Sequence, residues 1–189
     1  DIIDGMVADI RPELGELARL KAPHGVYFVL GNHECYWNHI EGIEAMRAGG
    51  ATILQNLGVE VAVRGEQIFV AGMNDPAITH FKGEGPRVPP TPAQSKFNLM
   101  LVHQPQLAKH VIEGTGNHRY HLQLSGHTHG GQFFPWNLVV RLIYPIHRGL
   151  GRFQNLWVYV STGTGYWGPP VRLGADGEVT QLVLRSRHR

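Results

Sequence analysis

The sequence is poor in cysteine and has no long apolar segment. Cys35 is the single cysteine in 189 residues, which excludes an intrachain disulfide and argues against a structural zinc site, because such sites are built mainly from thiolates. No apolar run approaches the roughly 20 residues that are needed to span a bilayer. The formal charge is only +2 and no dense basic run occurs, so the sequence does not favour nucleic-acid binding.

The rest of the composition is that of a globular chain with many histidines. The hydrophobic fraction is 42%, which at this length is enough for a hydrophobic core. We find no internal repeat and no linker-like stretch, so residues 1–189 are expected to form one domain. Twelve histidines direct attention to metals, although an isolated histidine more often packs in the core or faces solvent.

Hydrophobic periodicity predicts an α/β chain. Three compact apolar runs are typical of buried strands, and they cover residues 25–30, 97–102 and 121–125. Helical spacing predicts helices over 10–21, 38–48 and 106–113. Shorter strands are predicted at 52–54, 59–63, 67–72, 156–161 and 178–184, and loops at 74–95 and 162–170. Residues 136–146 are apolar but are preceded by Pro135 and interrupted by Pro145, which favours the wall of a groove over a core helix.

Residues 125–132 carry the strongest chemical signal. Their sequence, SGHTHGGQ, places His127 and His129 two positions apart between glycines. Neighbours on a helix lie three or four apart, so these side chains suit a loop, where glycine permits close backbone approach. Imidazole is the commonest nitrogen ligand of transition metals in proteins. We interpret the segment as a metal-binding loop; a glycine-rich turn with two solvated histidines is the alternative.

Two further predicted strands end in potential ligands. Asn32 and His33 follow the strand over 25–30, and His103 follows the strand over 97–102. Open α/β sheets place ligands at the C-terminal ends of their strands. Together with Asp1, these ends offer a carboxylate, an amide carbonyl and imidazoles, a donor set that suits Mn²⁺, Fe²⁺ or Zn²⁺.

The order of four motifs resembles that of the calcineurin-like metallophosphoesterase family. The motifs are Asp1-x-x-Asp4, Gly31-Asn32-His33-Glu34, Val102-His103-Gln104-Pro105 and Gly126-His127-Thr128-His129. The stretch YVSTGTG at 159–165, followed by WGPPVR at 167–172, is similar to the bacterial YkuE-type branch of that family. The resemblance extends over essentially the whole chain and implies a calcineurin-like four-layer αββα sandwich.

The resemblance also implies a binuclear metal centre. Asp1 is expected to bridge two divalent ions, which in this family are Mn²⁺, Fe²⁺ or Zn²⁺. Asn32, His103 and His127 would complete one metal site, and His129 would bind the other metal.

For catalysis, the resemblance implies that His33 is the general acid or hydrogen-bond donor at the leaving group. Asp4 and Glu34 are expected to orient neighbouring groups. A helix N-cap is the alternative role for Asp4, and a favourable charge in a first helical turn is the alternative for Glu34. Tyr166, Trp167 and Arg172 are candidates for the substrate groove, with packing of the loop as the alternative.

One feature departs from the family pattern. The family's first motif, Asp-x-His on the opening strand, is absent, because no aspartate here is followed two positions later by histidine. We therefore expect an N-terminally incomplete domain that lacks the first strand and helix. Such a chain should have one well-formed metal site, weak or no activity, and a tendency to self-associate through an unpaired strand edge.

The implied function is hydrolysis of a phosphodiester or pyrophosphate bond by a binuclear centre with a bridging hydroxide. The apolar segment at 136–146 and the family branch favour a lipid-linked substrate and a bacterial parent protein that is associated with the membrane through segments outside this sequence. No specific nucleic-acid partner is expected. The alternatives are a calcineurin-fold scaffold and a fragment that binds a single metal, both without turnover; a structural zinc domain is disfavoured.

Overall fold

The computed structural model describes residues 1–37, 39–116 and 119–185, and in these ranges the chain is a mixed α/β structure with two sheets. The smaller sheet pairs β1 (Tyr27–Phe28) with β2 (Thr52–Ile53) in parallel. The larger sheet has six strands, which are β3 (Leu57–Val63), β4 (Glu66–Gly72), β5 (Phe97–Leu101), β6 (Leu122–Ser125), β7 (Gly149–Phe153) and β8 (Leu156–Val160).

The larger sheet brings several strand ends to one edge. Its spatial order is β3-β4-β5-β6-β8-β7, with parallel pairing from β4 to β8 and antiparallel pairing at both ends. Leu101 at the end of β5 pairs with Leu124 near the end of β6. Because parallel strands end at the same edge of a sheet, His103 and His127 emerge side by side.

Five α-helices flank the sheets in the described ranges. They are α1 (Arg11–Leu17), α2 (Asn32–Tyr36), α3 (His39–Ala48), α4 (Ala108–Gly114) and α5 (Trp136–Ile143). Short 3-10 helices cover Pro76–Phe81, Pro105–Leu107 and His129–Gly131. None of the helices within the described residues is long and apolar enough to cross a membrane.

The helices predicted at 10–21, 38–48 and 106–113 correspond to α1, α3 and α4, although residue 38 lies outside the described residues. The segment 136–146, for which no helix was predicted, contains α5, and only Val140 of this helix is buried. The strand predicted at 178–184 is wrong. Glu178 is instead attached to a loop: its backbone N–H donates to the Gly163 carbonyl, and its carboxylate accepts hydrogen bonds from the Tyr159 hydroxyl and the Thr162 N–H. A segment with alternating apolar and polar residues forms a strand only where a neighbouring strand is available for pairing.

Two hydrophobic clusters hold the fold together. One lies on the larger sheet under α4 and includes Met100, Val102, Val111 and Val158. The other lies in the N-terminal part; its buried members include Ile3, Val7, Leu30, Ile43 and Met46. The sheets approach closely at the end of β4, because a Cβ on Gly72 would lie 2.4 Å from Leu54 Cβ and 2.6 Å from Val29 Cγ1. Only glycine fits there, and the metal-ligand candidates lie at the same ends of the two sheets.

Candidate metal centre

Four candidate ligand atoms converge on one point. His103 Nε2 lies 2.8 Å from Asp1 Oδ2 and 3.1 Å from Asn32 Oδ1. His127 Nδ1 lies 3.1 Å from the same Asn32 oxygen and 3.0 Å from His103 Nε2. Asp1, His103 and His127 thus present ligand atoms that all lie within 4.8 Å of one another.

The donor set and spacing fit a divalent cation. Ligand atoms about 2.1 Å from a shared cation and about 90° apart would be roughly 3 Å from one another, which agrees with the separations here. Each neutral imidazole carries one N–H, so the four close contacts among these two nitrogens and two acceptor oxygens cannot all be hydrogen bonds. A cation between the nitrogens and the two oxygens would satisfy all four atoms, and carboxylate, amide and imidazole groups are ligands of Mn²⁺, Fe²⁺ and Zn²⁺.

Burial keeps the histidines of the site unprotonated. It lowers the pKa of His103 well below the usual range. Burial, with a smaller contribution from His103, lowers the pKa of His127 to about 4. Burial and the charge of Arg172 lower the pKa of His129 to about 4. At neutral pH these rings are therefore in the form that binds metal ions.

Gly31 and Glu34 position the start of the chain against α2. A Cβ on Gly31 would lie 2.0 Å from Asp1 Oδ1, so only glycine leaves room for that carboxylate. Glu34 is 1% exposed, and its carboxylate accepts hydrogen bonds from the backbone N–H groups of Ile2, Ile3 and Gly31. Asp1 Oδ1 in turn accepts from the backbone N–H of His33 at 2.9 Å. These contacts fix Asp1 and Asn32 relative to each other.

The histidine loop has unusual backbone angles at the histidines themselves. His127 has φ 68° and His129 has φ 50°, both in the left-handed region that non-glycine residues rarely adopt. The loop is held by the Gly126 N–H, which donates to the His103 carbonyl at 3.0 Å, and by the Thr128 hydroxyl, which donates to the His147 carbonyl. Such angles are costly and are concentrated at functional sites.

His33 lies beside the convergent ligands and is held by Asp4. Its Nδ1 is 2.9 Å from Asp4 Oδ1, and the indole N–H of Trp37 donates to the same oxygen at 3.0 Å. The hydrogen bond with His33 lowers the pKa of Asp4, so this carboxylate is ionised at neutral pH and accepts a hydrogen bond from Nδ1–H. The His33 Nε2 is then the ring nitrogen available to a bound group.

His129 is in the same cavity but outside the convergent group. Its Nδ1 lies 3.4 Å from Arg172 Nη2, and that guanidinium donates to the carbonyls of Thr162 and Gly165. Among the residues that the structure describes, the three-ligand cluster is Asp1, His103 and His127, without His129. The structure thus brings Asp1, Asn32, His103 and His127 to one point, and it places His33 and His129 on the walls around it.

The cavity above this point measures about 220 Å³, and α5 forms one wall with Trp136, Val140 and Ile143. Sequence reasoning anticipated this wall but missed Tyr144, whose hydroxyl lies 3.3 Å from His127 Nε2. It also missed Gln132, a fully buried side chain that accepts a hydrogen bond from the Trp167 N–H and donates to the Trp167 carbonyl. The feature of the sequence that could have indicated Gln132 is its position directly after the two glycines of the histidine loop.

Several proteins of similar sequence carry the name metallophosphoesterase. The chain is 33% identical over 199 residues to a bovine transmembrane protein with metallophosphoesterase domain, covering 98% of the chain and 44% of that protein. It is 30% identical over 196 residues to an uncharacterized metallophosphoesterase of Aquifex aeolicus, covering 99% of the chain and 71% of the relative. YkuE, an uncharacterized metallophosphoesterase of Bacillus subtilis, is 28% identical over 90% of the chain and 59% of its own length.

The chain spans half or less of the length of several curated relatives, the bovine protein among them. No protein-family model matches it. Among solved structures, the Thermus thermophilus sulfate thiohydrolase SoxB is similar over 71% of the chain and 27% of that protein, with 15% identity and a TM-score of 0.44. The sequence relatives are sufficient to identify the family: the chain belongs to the calcineurin-like metallophosphoesterases.

Proposed function

We propose that this chain is the catalytic region of a metal-dependent phosphoesterase that hydrolyses a phosphodiester or pyrophosphate bond at a binuclear centre. The observation that carries the proposal is the convergence of Asp1, Asn32, His103 and His127 beside His33. Family membership supports the same conclusion. We further propose that the two sheets are the inner layers of a four-layer αββα sandwich.

The chain's own residues would divide into two ligand groups. Asn32, His103 and His127 would hold one cation together with Asp1, and His129 would contribute to the second, with Asp1 between the two. Mn²⁺ is the metal we propose first, because mixed oxygen and nitrogen donors suit it. When bound, divalent cations supply Lewis acidity that acidifies a water molecule and neutralises phosphoryl oxygens.

His33 would assist departure of the leaving group. Asp4 holds the proton on Nδ1, so the imidazolium form could donate its Nε2 proton to the leaving oxygen and the neutral form could accept a proton afterwards. The His33 ring lies on the cavity wall. Among the described residues, no side chain or backbone group is hydrogen-bonded to its Nε2. Asp4 would position the His33 ring. Glu34 would position Asp1 by holding the backbone of residues 1–3.

We propose a lipid-linked phosphoester or pyrophosphate as substrate and a parent protein that is associated with a membrane. Two features support this: the cavity has an apolar wall formed by α5, and a bovine relative is named as a transmembrane protein. A calcineurin-fold scaffold without turnover is the second candidate, because His129 lies outside the convergent ligand group.

The decisive experiment measures hydrolysis with Mn²⁺-loaded protein. Bis(p-nitrophenyl) phosphate, p-nitrophenyl phosphate and a pyrophosphate diester should be compared in parallel, with His33→Ala as the catalytic control and His127→Ala as the metal-site control. We expect slow hydrolysis of the diester or the pyrophosphate bond, which His33→Ala should lower about 10²- to 10⁴-fold and His127→Ala should abolish. Tight metal binding without hydrolysis of any of the three would support the scaffold instead.

A further inference from the structure

Helix α5 is unusually apolar for a helix that faces solvent. Of its eight residues only Val140 is buried, whereas Leu142 is 85% exposed, Ile143 59% and Leu138 53%. Its two polar residues, Asn137 and Arg141, lie four positions apart on one face, and its other residues are apolar. The exposed faces of these apolar side chains have no packing partner among the residues that the structure describes.

The apolar surface continues beyond the helix. Phe134 is 60% exposed just before α5, and Leu173 is 60% exposed in the loop that donates a backbone hydrogen bond to the Gln132 carbonyl. Trp136 packs edge-to-face on Trp167 with ring centroids 6.3 Å apart. We call this region the α5 surface, and it comprises Phe134, Trp136, Leu138, Leu142, Ile143 and Leu173. Contiguous exposed apolar patches of this kind usually mark binding sites.

Two arginines lie beside the α5 surface. Arg141 is exposed within α5 itself, and Arg148 donates to the carbonyl of Gly174, next to Leu173. Positive charges next to an exposed apolar surface would attract an anionic surface to it.

We propose that the α5 surface docks on an anionic phospholipid bilayer. Eight helical residues extend about 12 Å, too short to span a bilayer but sufficient to lie in its interface with apolar side chains among the acyl chains. Arginines flanking such a helix would contact lipid phosphates, and Trp136 suits the headgroup level. An apolar face alone would also suit a second copy of the chain, but a copy would bring the same arginines against one another.

Docking in this way would turn the metal-site cavity toward the headgroups. Trp136 and Ile143 belong both to the α5 surface and to the cavity wall. The docking proposal concerns binding alone, so it holds whether or not the centre hydrolyses a phosphoester.

Vesicle cosedimentation of the metal-free chain tests the proposal. Phosphatidylcholine vesicles with and without phosphatidylglycerol should be compared, and binding should require the anionic lipid. Leu142→Ser should weaken binding roughly tenfold, because it removes a leucine from the apolar interface. Ile40→Ser is the matched control, since Ile40 is 61% exposed on α3. Arg141→Gln should weaken binding severalfold at low salt, whereas Arg47→Gln, on α3, should not.

A second measurement locates the contact. Quenching of tryptophan fluorescence by brominated lipid should fall in Trp136→Phe and stay unchanged in Trp157→Phe, since Trp157 is exposed on β8. Circular dichroism confirms folding of every variant. Equal binding to neutral and anionic vesicles, equal effects of Leu142→Ser and Ile40→Ser, or a dimer that Leu142→Ser dissociates without any vesicle binding would each overturn the proposal.

Discussion

The Nδ1 atom of His33 lies 2.9 Å from Oδ1 of Asp4, and the indole N–H of Trp37 donates to the same oxygen. The carboxylate therefore sets both the tautomer and the orientation of the ring that faces the cavity. A ring held in this way loses little orientational freedom when it transfers a proton.

Asp4→Asn should lower kcat about 10- to 100-fold in the metal-loaded enzyme, the usual cost of removing such an outer-shell partner, while metal content stays at the wild-type level. His33→Ala should lower kcat about 10²- to 10⁴-fold, and the double variant should be no slower than His33→Ala alone. Asp9→Asn, at an exposed position, is the control. If the losses of the two single variants multiplied in the double variant, Asp4 would act independently of His33.

His127→Ala should abolish tight binding of one divalent ion, because it removes one of four convergent ligand atoms. Isothermal calorimetry with Mn²⁺ on chelator-treated protein measures the change, which we expect to be at least tenfold in Kd. His110→Ala removes an exposed histidine on α4 and should have no effect. Equal affinities of these two variants would place the metal elsewhere.

The stability of the metal-free chain should depend on pH between about 4 and 6.5. The pKa values of His127 and His129 are lowered by burial from 6.5 to about 4 in the folded chain. In that window the unfolded chain binds more protons than the folded chain, so stability falls as pH decreases. Urea midpoints measured at neutral pH and near pH 4.5 test this, and His127→Gln should reduce the difference. An unchanged midpoint across the window would contradict the lowered pKa values.

Glu34→Gln should destabilise the chain by about 1–3 kcal/mol, because its buried carboxylate accepts three backbone N–H bonds and an amide offers only one acceptor oxygen. Thermal unfolding reports the loss, and calorimetry should also show weaker metal binding as the segment carrying Asp1 loosens. Glu44→Gln, at an exposed position on α3, is the matched control. A melting temperature as high as that of Glu44→Gln would mean that water replaces the lost acceptor.

The sequence alone was sufficient to predict which strand ends meet. Asn32, His103 and His127 each follow an apolar run, and parallel pairing then brings such ends to one edge. The spacing of apolar residues depends only on neighbours in the sequence, and each element buries its apolar face in the folded chain. Therefore β5, β6 and α3 lie where the hydrophobic periodicity predicts them. Motif order predicted the family, and the relatives confirm it.

Features that depend on distant contacts could not be predicted in this way. The left-handed angles of His127 and His129 follow from bonds that anchor the loop to His103 and His147. The contact between Gln132 and Trp167 joins residues 35 positions apart, and no periodicity encodes it. The failed strand at 178–184 has the same cause, since an alternating pattern does not reveal whether a partner strand is available.

The four convergent ligand atoms come from two different packing units. Asp1 and Asn32 belong to the part of the chain around the small sheet and the N-terminal cluster, whereas His103 and His127 follow strands of the larger sheet. A cation held by all four would be a cross-link between those units. Without it, amide hydrogens of β1 and β2 should exchange through local openings that leave the larger sheet intact; with it, both sheets should open in one cooperative event. Metal affinity and folding cooperativity would then be two measures of the same coupling.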